Sequence, residues 1–235
     1  INEYTLTVGF NISTATYDDT FSVAAQEGTP LCLAFNADGT KLFVTGRTGD
    51  DINEYTLRDP FNLTSTDFVD SFSVATHEVT PHGLAFSADG TKMFVIGDTG
   101  DDVNEYTLGT AFDVSTASFV NSFSFTVAQE SSPTGLTFNP TGTKLFVIGQ
   151  GGDDIDEYVL ATPYNLSTAS FVDSFSVAYE EVTPQDVAFN PTGTKMFVIG
   201  TTGDDVNEYT LSVPFDVSTA SFVDSFSVGG QEDSP

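Results

Sequence analysis

The chain has 235 residues, of which 34 are acidic and 6 are basic, so its formal net charge is −28. Six cations are too few for a phosphate-binding surface, and no stretch approaches the roughly 20 apolar residues that span a bilayer, which argues against nucleic-acid partners and membrane insertion. The single cysteine, Cys32, excludes an intramolecular disulfide, and 22 Phe with 8 Tyr are too many aromatic residues for a disordered acidic chain.

The sequence consists of repeats of about 51 residues. The segment Ile-Asn-Glu-Tyr-Thr-Leu begins at Ile1 and returns, with small changes, at Ile52, Val103, Ile155 and Val206. The tyrosines of these segments are 51, 51, 52 and 51 residues apart, and no linker interrupts them. We therefore treat residues 1–235 as one repeat region, divided into residues 1–24, 25–75, 76–127, 128–178 and 179–235.

Each full period predicts four short β-strands, as the second repeat illustrates. Residues 84–86 are a brief apolar run, and residues 92–96 are apolar on both faces, as expected of a buried strand. Residues 103–108 and 119–125 alternate between polar and apolar side chains. Polarity rises from the first strand to the fourth, and no segment has helical periodicity.

This gradient is typical of a propeller blade, whose inner strands are covered on both faces and whose outermost strand is half exposed. We predict an all-β fold, a β-propeller of four-stranded antiparallel blades with four full blades. Residues 1–24 begin at a third strand and would form an outer half-blade. We expect a slice of a longer repeat array, and the alternative is a five-bladed ring with one defective blade.

One strand pair in each repeat resembles a known family. Residues 133–149 read Pro-Thr-Gly-Leu-Thr-Phe-Asn-Pro-Thr-Gly-Thr-Lys-Leu-Phe-Val-Ile-Gly, and copies begin at Pro30, Pro81 and Pro184. They are similar to the strand pair of YVTN-type β-propellers, whose usual form is Pro-x-Gly-x-Ala-Phe-x-Pro-Asp-Gly-x-x-Leu-Tyr-Val. The third and fourth strands depart from that family. The resemblance implies the propeller fold but no particular function.

Two loops vary among the copies, whereas the turn between the first and second strands hardly changes. In an up-and-down blade the variable loops, between the fourth and first strands and between the second and third, lie on the same face. Variation over a maintained scaffold is typical of a binding face, although neutral drift in exposed loops explains it equally well. The candidate ligand-contacting residues are Arg47, His77, His82, Asp98, Gln150, Tyr179 and Gln185.

The same face carries many carboxylates. Paired aspartates precede the third strands: Asp50, Asp51, Asp101, Asp102, Asp153, Asp154, Asp204 and Asp205. The neighbouring loops add Glu27, Glu78, Glu130, Glu180 and Glu181. Oxygen ligands suit Ca²⁺, so the sequence predicts either no cofactor or Ca²⁺ bound by the paired aspartates. The later glycine and bidentate glutamate of an EF-hand are missing, which weakens the calcium motif. Alternatively, each aspartate precedes a strand and caps a turn through its own side chain.

Two further sets of residues recur at fixed positions. Asn11, Asn62 and Asn165 each begin an Asn-x-Ser/Thr triplet and are candidate glycosylation sites. Aspartate replaces them in other copies, at Asp113 and Asp216, which favours an Asx turn. The recurring lysines are predicted to be scaffold residues: Lys41, Lys92, Lys144 and Lys195.

The sequence offers few titratable residues suited to catalysis, because its only histidines, His77 and His82, lie in variable loop positions of one repeat. We therefore predict that the chain is not an enzyme. The predicted function is an extracellular or virion-surface adhesion or ligand-binding module, whose acidic face meets a glycan or a protein. The alternative is a purely structural repeat that stacks with other copies into a fibre or appendage. The large negative charge favours a saline setting, either marine or halophilic.

Overall fold

The computed structural model describes residues 1–124, 130–232 and 235. This part of the chain forms 18 strands, arranged in four four-stranded sheets and one two-stranded sheet. The predicted strand end at residue 125 and the repeat boundary between residues 127 and 128 lie outside the described residues. Among the described residues, no helix is long and apolar enough to cross a membrane.

The strands follow the repeats in chain order. The N-terminal hairpin contains β1 (Asn2–Leu6) and β2 (Ala15–Thr20). The first blade contains β3 (Pro30–Phe35), β4 (Lys41–Gly46), β5 (Asp51–Leu57) and β6 (Thr66–Ser73). The second contains β7 (Pro81–Phe86), β8 (Lys92–Gly97), β9 (Asp102–Leu108) and β10 (Ala117–Ser124). The third contains β11 (Pro133–Phe138), β12 (Lys144–Gly149), β13 (Asp154–Leu160) and β14 (Ala169–Ser176), and the fourth contains β15 (Pro184–Phe189), β16 (Lys195–Gly200), β17 (Asp205–Leu211) and β18 (Ala220–Ser227).

This architecture confirms the predicted fold class of four-stranded antiparallel propeller blades. In the second blade the strands lie in the order β7-β8-β9-β10, and each pairs antiparallel with the next. The central strands β8 and β9 are buried almost throughout, whereas most of β10 is exposed. The polarity gradient of the sequence therefore corresponds to increasing exposure from the central strands to the outer edge.

The sequence did not predict the one-turn 3-10 helix before the last strand of each blade, since three residues carry no periodicity. These helices span Ile12–Thr14, Leu63–Ser65, Val114–Thr116, Leu166–Thr168 and Val217–Thr219.

The chain divides into two compact units. The first unit comprises Ile1 and Asp19–Phe125, and it contains the first and second blades. The second unit comprises Asn2–Asp18 and Thr126–Pro235, and it contains β1 with the third and fourth blades.

Each unit has a core between its two full blades. In the first unit, Phe43 and Ile52 of one blade belong to the same buried cluster as Met93 and Tyr106 of the next. The second unit repeats this cluster with equivalent residues of the third and fourth blades. Burial of each such apolar side chain contributes about 1.5–3 kcal/mol to folding, so the faces between blades supply much of the stability.

A lysine–glutamate pair also joins the two full blades of each unit. In the first unit, Lys41 Nζ lies 2.6 Å from Glu54 Oε1 and donates to the Phe112 carbonyl of the second blade at 2.6 Å. The other carboxylate oxygen of Glu54 accepts the Val114 amide at 3.0 Å. Glu54 is only 2% exposed. We call this arrangement the inter-blade clamp.

The second unit contains the same clamp between its third and fourth blades. Lys144 Nζ lies 2.5 Å from Glu157 Oε1 and donates to the Phe215 carbonyl at 2.6 Å. Glu157 Oε2 accepts the Val217 amide at 3.1 Å. The recurring lysines are therefore structural, in agreement with their predicted role.

Removing the lysine of the inter-blade clamp should destabilise the fold. Lys144→Met leaves the Glu157 carboxylate buried without its cation, and we expect the free energy of unfolding to fall by about 3–5 kcal/mol in urea denaturation. Adding Glu157→Gln to this variant should cost less than the sum of the two single losses, because no uncompensated charge then remains.

The control is Arg58→Gln, which breaks an ion pair whose side chains are 75% and 59% exposed. Its effect should stay below about 1 kcal/mol. Strictly additive losses at Lys144 and Glu157 would contradict the clamp.

Each full blade also packs an aromatic ring against the glycine of the turn between its first two strands. In the second blade Gly90 has a φ of 68°, and Phe112, itself at a φ of 56°, donates its amide to the Gly90 carbonyl at 2.9 Å. A Cβ on Gly90 would lie 2.1 Å from the Phe112 ring. The equivalent pairs are Gly39 with Phe61, Gly142 with Tyr164, and Gly193 with Phe215. Only glycine fits this turn, which explains why it hardly varies.

We expect Gly90→Ala to lower the free energy of unfolding by about 2–4 kcal/mol, because the methyl group overlaps the ring and the backbone has positive φ. Gly109→Ala is the matched control in the same blade, since its nearest contact would be 3.5 Å and its φ is not positive. Thermal denaturation of both variants tests this, and equal melting temperatures would refute the packing argument.

Candidate functional site

His82 occupies a β-bulge at the start of β7, the inner strand of the second blade. The pairing of β7 with β8 shifts register between Pro81 and Gly83, so His82 is the extra residue. The same register shift follows the equivalent proline in the other three full blades, so the bulge belongs to the repeat and the histidine is what distinguishes this copy. The His82 side chain is 4% exposed.

Two charged side chains from different blades meet at this imidazole. Asp98 follows β8 of the second blade, and its Oδ2 lies 3.2 Å from His82 Nε2. Arg47 follows β4 of the first blade, and its Nη2 lies 3.3 Å from the same nitrogen. Arg47 is exposed and the Asp98 side chain is 50% exposed, so both reach solvent. We call these three residues the inter-blade triad.

The environment of His82 favours a neutral imidazole. Burial lowers the pKa of His82, the Asp98 carboxylate raises it, and the Arg47 guanidinium lowers it again. A neutral ring can donate from Nε2 to Asp98 or accept there from Arg47, depending on its tautomer. In the described part of the chain, Nδ1 is buried without a hydrogen-bond partner.

The structure thus brings together three of the seven predicted ligand-contacting residues. The remaining four lie elsewhere. His77 stacks on Phe119, with ring centroids 3.7 Å apart. Gln150, Tyr179 and Gln185 belong to the second unit, where Tyr179 is 97% exposed.

The paired aspartates have local structural roles. The first member of each pair has a positive φ of 50–51°, a conformation that aspartate tolerates in turns. In the first blade, the Asp50 carbonyl accepts the Val74 amide at 2.9 Å, and Asp51 Oδ1 accepts from Asn53 Nδ2 at 2.8 Å. Across the described residues, no group of three or more His, Cys, Asp or Glu side chains is arranged to hold a metal ion. Calcium therefore stays a prediction without a ligand cluster to support it.

Four of the five glutamates named in the neighbouring loops are buried rather than exposed on the variable face. Glu78 is fully buried, and its Oε1 accepts the Thr80 amide at 2.8 Å and the Thr99 amide at 3.1 Å. Three equivalents are buried in the same way, namely Glu27, Glu130 and Glu181. Each carboxylate holds two loops together through backbone N–H groups, a role that composition alone does not indicate.

The asparagines of the three glycosylation triplets cap the 3-10 helices. Asn11 Oδ1 accepts the Ser13 amide at 3.1 Å, and Asn62 and Asn165 make the equivalent contact. Asp113 caps its helix in the same way. This agrees with the Asx-turn interpretation, and glycosylation stays a prediction.

The third blade departs from the others at Asp156. The equivalent asparagines of the other full blades donate to the aspartate two residues earlier, as Asn104 does to Asp102 at 2.9 Å. Asp156 Oδ2 and Asp154 Oδ1 are buried, and neither has a hydrogen-bond partner in the described structure. Burial, then the nearby Asp154 and Glu130 charges, raise the pKa of Asp156 to about 8. The raised pKa favours a neutral, protonated carboxyl at the position where the other full blades have a neutral amide.

Comparisons with known proteins support the fold. No family model matches the sequence and no curated protein matches it, so membership of the YVTN-type family is not shown. A Bacteroides uniformis protein provisionally named 6-phosphogluconolactonase superposes with a TM-score of 0.56 at 16% identity, over 96% of this chain and 64% of its own. A Bacteroides fragilis protein with the same provisional name gives 0.55 at 16% identity, over 85% and 55%. The periplasmic gluconolactonase of Pseudomonas aeruginosa gives 0.54 at 19% identity, over 86% and 55%.

The chain therefore spans 55–64% of the length of these three proteins. At this level of identity the likeness shows the β-propeller fold. It agrees with the four blades and the repeated strand motifs seen in the structure.

These comparisons correct the expected function. The prediction of a non-catalytic adhesion or ligand-binding module, and of a structural fibre as its alternative, is wrong, because the three neighbours carry the names of lactone-hydrolysing enzymes. The prediction that the chain is not an enzyme is corrected on the same ground. It rested on how few histidines the sequence has, whereas the fold brings His82 of β7 together with Arg47 and Asp98 from two loops. The expected adhesive, calcium-binding and halophilic character gains no support.

Asp156 should make stability depend on pH. Its carboxyl titrates near pH 4 in the unfolded chain, so its contribution is complete below about pH 4 and is lost as the pH rises through about 8. We expect Asp156→Asn to flatten the free energy of unfolding between about pH 5 and 9, and to exceed the parent at the upper end by about 1–3 kcal/mol.

The reciprocal variant is Asn104→Asp, which places the same carboxyl pair in the second blade. It should steepen the pH dependence in the same direction. Urea denaturation across this pH range measures both effects, and profiles parallel to that of the parent would contradict the raised pKa of Asp156.

Proposed function

We propose that this chain is a hydrolase of neutral sugar lactones that acts at the inter-blade triad. The observation that carries the proposal is the meeting of a cation, an imidazole and a carboxylate at one nitrogen, at variable positions of two neighbouring blades. The lactonase names among proteins of this fold support the reaction class.

Each member of the triad has a separate role in this proposal. Asp98 is the half-exposed carboxylate and acts as the general base toward water. Arg47 is exposed and permanently charged, so it stabilises the negative charge that develops on the lactone carbonyl oxygen. His82 is buried between them and acts as a positioning residue.

The reaction needs no co-reactant besides water. Asp98 accepts a proton from water while the water oxygen bonds to the lactone carbonyl carbon, giving a tetrahedral oxyanion beside Arg47. The ring carbon–oxygen bond then breaks, and the leaving oxygen takes the proton back from Asp98. The product is the open-chain hydroxy acid, which then ionises.

The charge of the protein favours an uncharged lactone. With a net charge of −28 and six basic residues, the chain repels a phosphorylated sugar over distances of about 10 Å. We therefore propose gluconolactone-like substrates rather than their 6-phosphates. An anionic product is then repelled from the same surface, which assists its release.

We also propose a location outside the cytoplasm. The Pseudomonas aeruginosa neighbour is periplasmic, and the acidic composition suits a saline exterior. The predicted glycan, protein or self-association partners stay predictions, of which a carbohydrate derivative is the class that the proposed reaction uses.

The test is hydrolysis of glucono-δ-lactone, followed as acid release in a pH-stat with the spontaneous rate subtracted. We expect the parent to hydrolyse this lactone faster than its 6-phosphate. Asp98→Asn and Arg47→Gln should each lower kcat/KM about 10²–10³-fold, because they remove the base and the oxyanion donor. Glutamine is chosen for Arg47 because the third repeat has glutamine, Gln150, at the equivalent position.

Arg58→Gln is the matched control, since Arg58 pairs with Asp67 on the exposed outer part of the first blade. It removes one positive charge and should leave the rate unchanged. His82→Thr, which introduces the residue found at the equivalent position Thr134, should lower kcat with little effect on KM if His82 positions the other two. Hydrolysis no faster than in buffer alone, or full activity in Asp98→Asn, would refute the proposal.

A further inference from the structure

Two threonine hydroxyls lie beside Arg47 in the loops of the first blade. Thr48 follows Arg47 directly, and the Thr29 carbonyl accepts the Arg47 amide at 3.2 Å. The Oγ1 atoms of Thr29 and Thr48 lie 3.1 Å apart, and both residues are exposed. In the described part of the chain, each of these hydroxyls has the other as its only hydrogen-bond partner. We call these two groups the hydroxyl pair.

A buried carboxylate fixes the backbone of both members of the hydroxyl pair. Glu27 is fully buried, and its Oε1 accepts the Thr29 amide at 2.6 Å and the Thr48 amide at 3.0 Å. The two hydroxyls are therefore presented to solvent from loops that are tied to each other. A ligand that binds here does not pay the entropic cost of ordering a loop.

Gly28 leaves the hydroxyl pair uncovered. The equivalent residues of the second and fourth blades are Val79 and Val182, each 49% exposed. A Cβ on Gly28 would lie 3.3 Å from Thr48 Oγ1, so a side chain at this position lies directly against the hydroxyl. The first blade therefore differs from these two blades by a glycine that opens access to the pair.

The other full blades either use the equivalent hydroxyls within the loops or lack them. In the second blade, Thr99 Oγ1 accepts the Val79 amide at 3.2 Å. In the fourth blade, Thr183 Oγ1 donates to Glu181 Oε1 at 3.0 Å. The third repeat has Gly151, and hence no hydroxyl, at the second position of the pair. The open pair and the arginine thus occur together in one copy of the repeat.

We propose that the hydroxyl pair is a subsite that recognises two neighbouring hydroxyl groups of a sugar lactone ring. This inference rests on the proposed function and names the part of the substrate that the site selects. The ring lies along the exposed Arg47 side chain, with its carbonyl oxygen at the guanidinium and its hydroxyls at Thr29 and Thr48. Hydroxyl oxygens on adjacent ring carbons are about one hydrogen-bond length apart, which matches the spacing of the pair.

The hydroxyl pair can both donate to a ligand and accept from it. The two oxygens share one hydrogen, which leaves the second hydrogen and further lone pairs available. A sugar diol offers the same combination of donors and acceptors, so every group finds a partner. Because neither threonine is charged, the pair selects for hydroxyl groups and adds no attraction for an anion.

The test compares two stable lactams, which keep the ring and carbonyl of a lactone but resist hydrolysis. Glucono-δ-lactam carries the ring hydroxyls, and δ-valerolactam lacks them. We expect the full chain to bind the hydroxylated lactam at least about tenfold more tightly in a titration followed by NMR. Thr48→Val should reduce this ratio about 3–10-fold, because one hydroxyl is lost while the shape of the side chain is kept.

Gly28→Val introduces the valine of the second and fourth repeats and should reduce the same ratio by covering the pair. The matched control is Thr202→Val, since Thr202 forms the equivalent pair with Thr183 at 2.9 Å in a blade that has Thr201 in place of the arginine. The control should leave the ratio unchanged. An unchanged ratio in Thr48→Val or Gly28→Val, a reduced ratio in the control, or equal binding of the two lactams by the parent would overturn the proposal.

Lactam binding also separates this inference from the proposed reaction. Asp98→Asn removes the base but should keep the preference for the hydroxylated lactam. Preference for that lactam without any lactone hydrolysis by the parent would support the subsite and refute the hydrolase. Hydrolysis of glucono-δ-lactone without a preference between the lactams would refute the subsite alone.

Discussion

The buried carboxylate between neighbouring blades is the interaction on which the rest of the structure depends. Glu54 and its equivalents lie among apolar side chains, where an unpaired charge is strongly unfavourable. The lysine of the second strand and a backbone amide of the next blade satisfy it together. Since the amide comes from a 3-10 helix, the clamp also fixes where the outer strand of that next blade begins.

This constraint explains why the chain tolerates so much variation in its loops. The clamp residues, the turn glycine and the aromatic ring above it recur in every full blade, so the backbone geometry is maintained by residues that lie away from the variable loops. The buried glutamates such as Glu78 then tie those loops to each other through backbone N–H groups. Side chains in loops held in this way can change without loss of the fold, and the inter-blade triad consists of such changes.

The negative charge of the protein is divided between two environments. Some carboxylates are buried and bound by lysines or amides, as in the clamp and in the loop ties. Others are exposed and screened only by salt. Asp156 belongs to neither group, because burial and the nearby Asp154 and Glu130 charges raise its pKa to about 8. One asparagine-to-aspartate difference between repeats therefore changes the local protonation without changing the backbone.

The sequence by itself determined the repeat, the four strands of each blade and their order of burial, because alternation and apolar runs are local properties that a 51-residue period displays four times. It also placed Arg47, His82 and Asp98 among seven candidate residues at positions that vary between the copies. Only the tertiary structure decided that these three meet, since Arg47 belongs to a different blade from the other two. Likewise, composition counts Glu54 and Glu78 as surface charge. Their burial depends on partners that are distant in the chain, which no local pattern records.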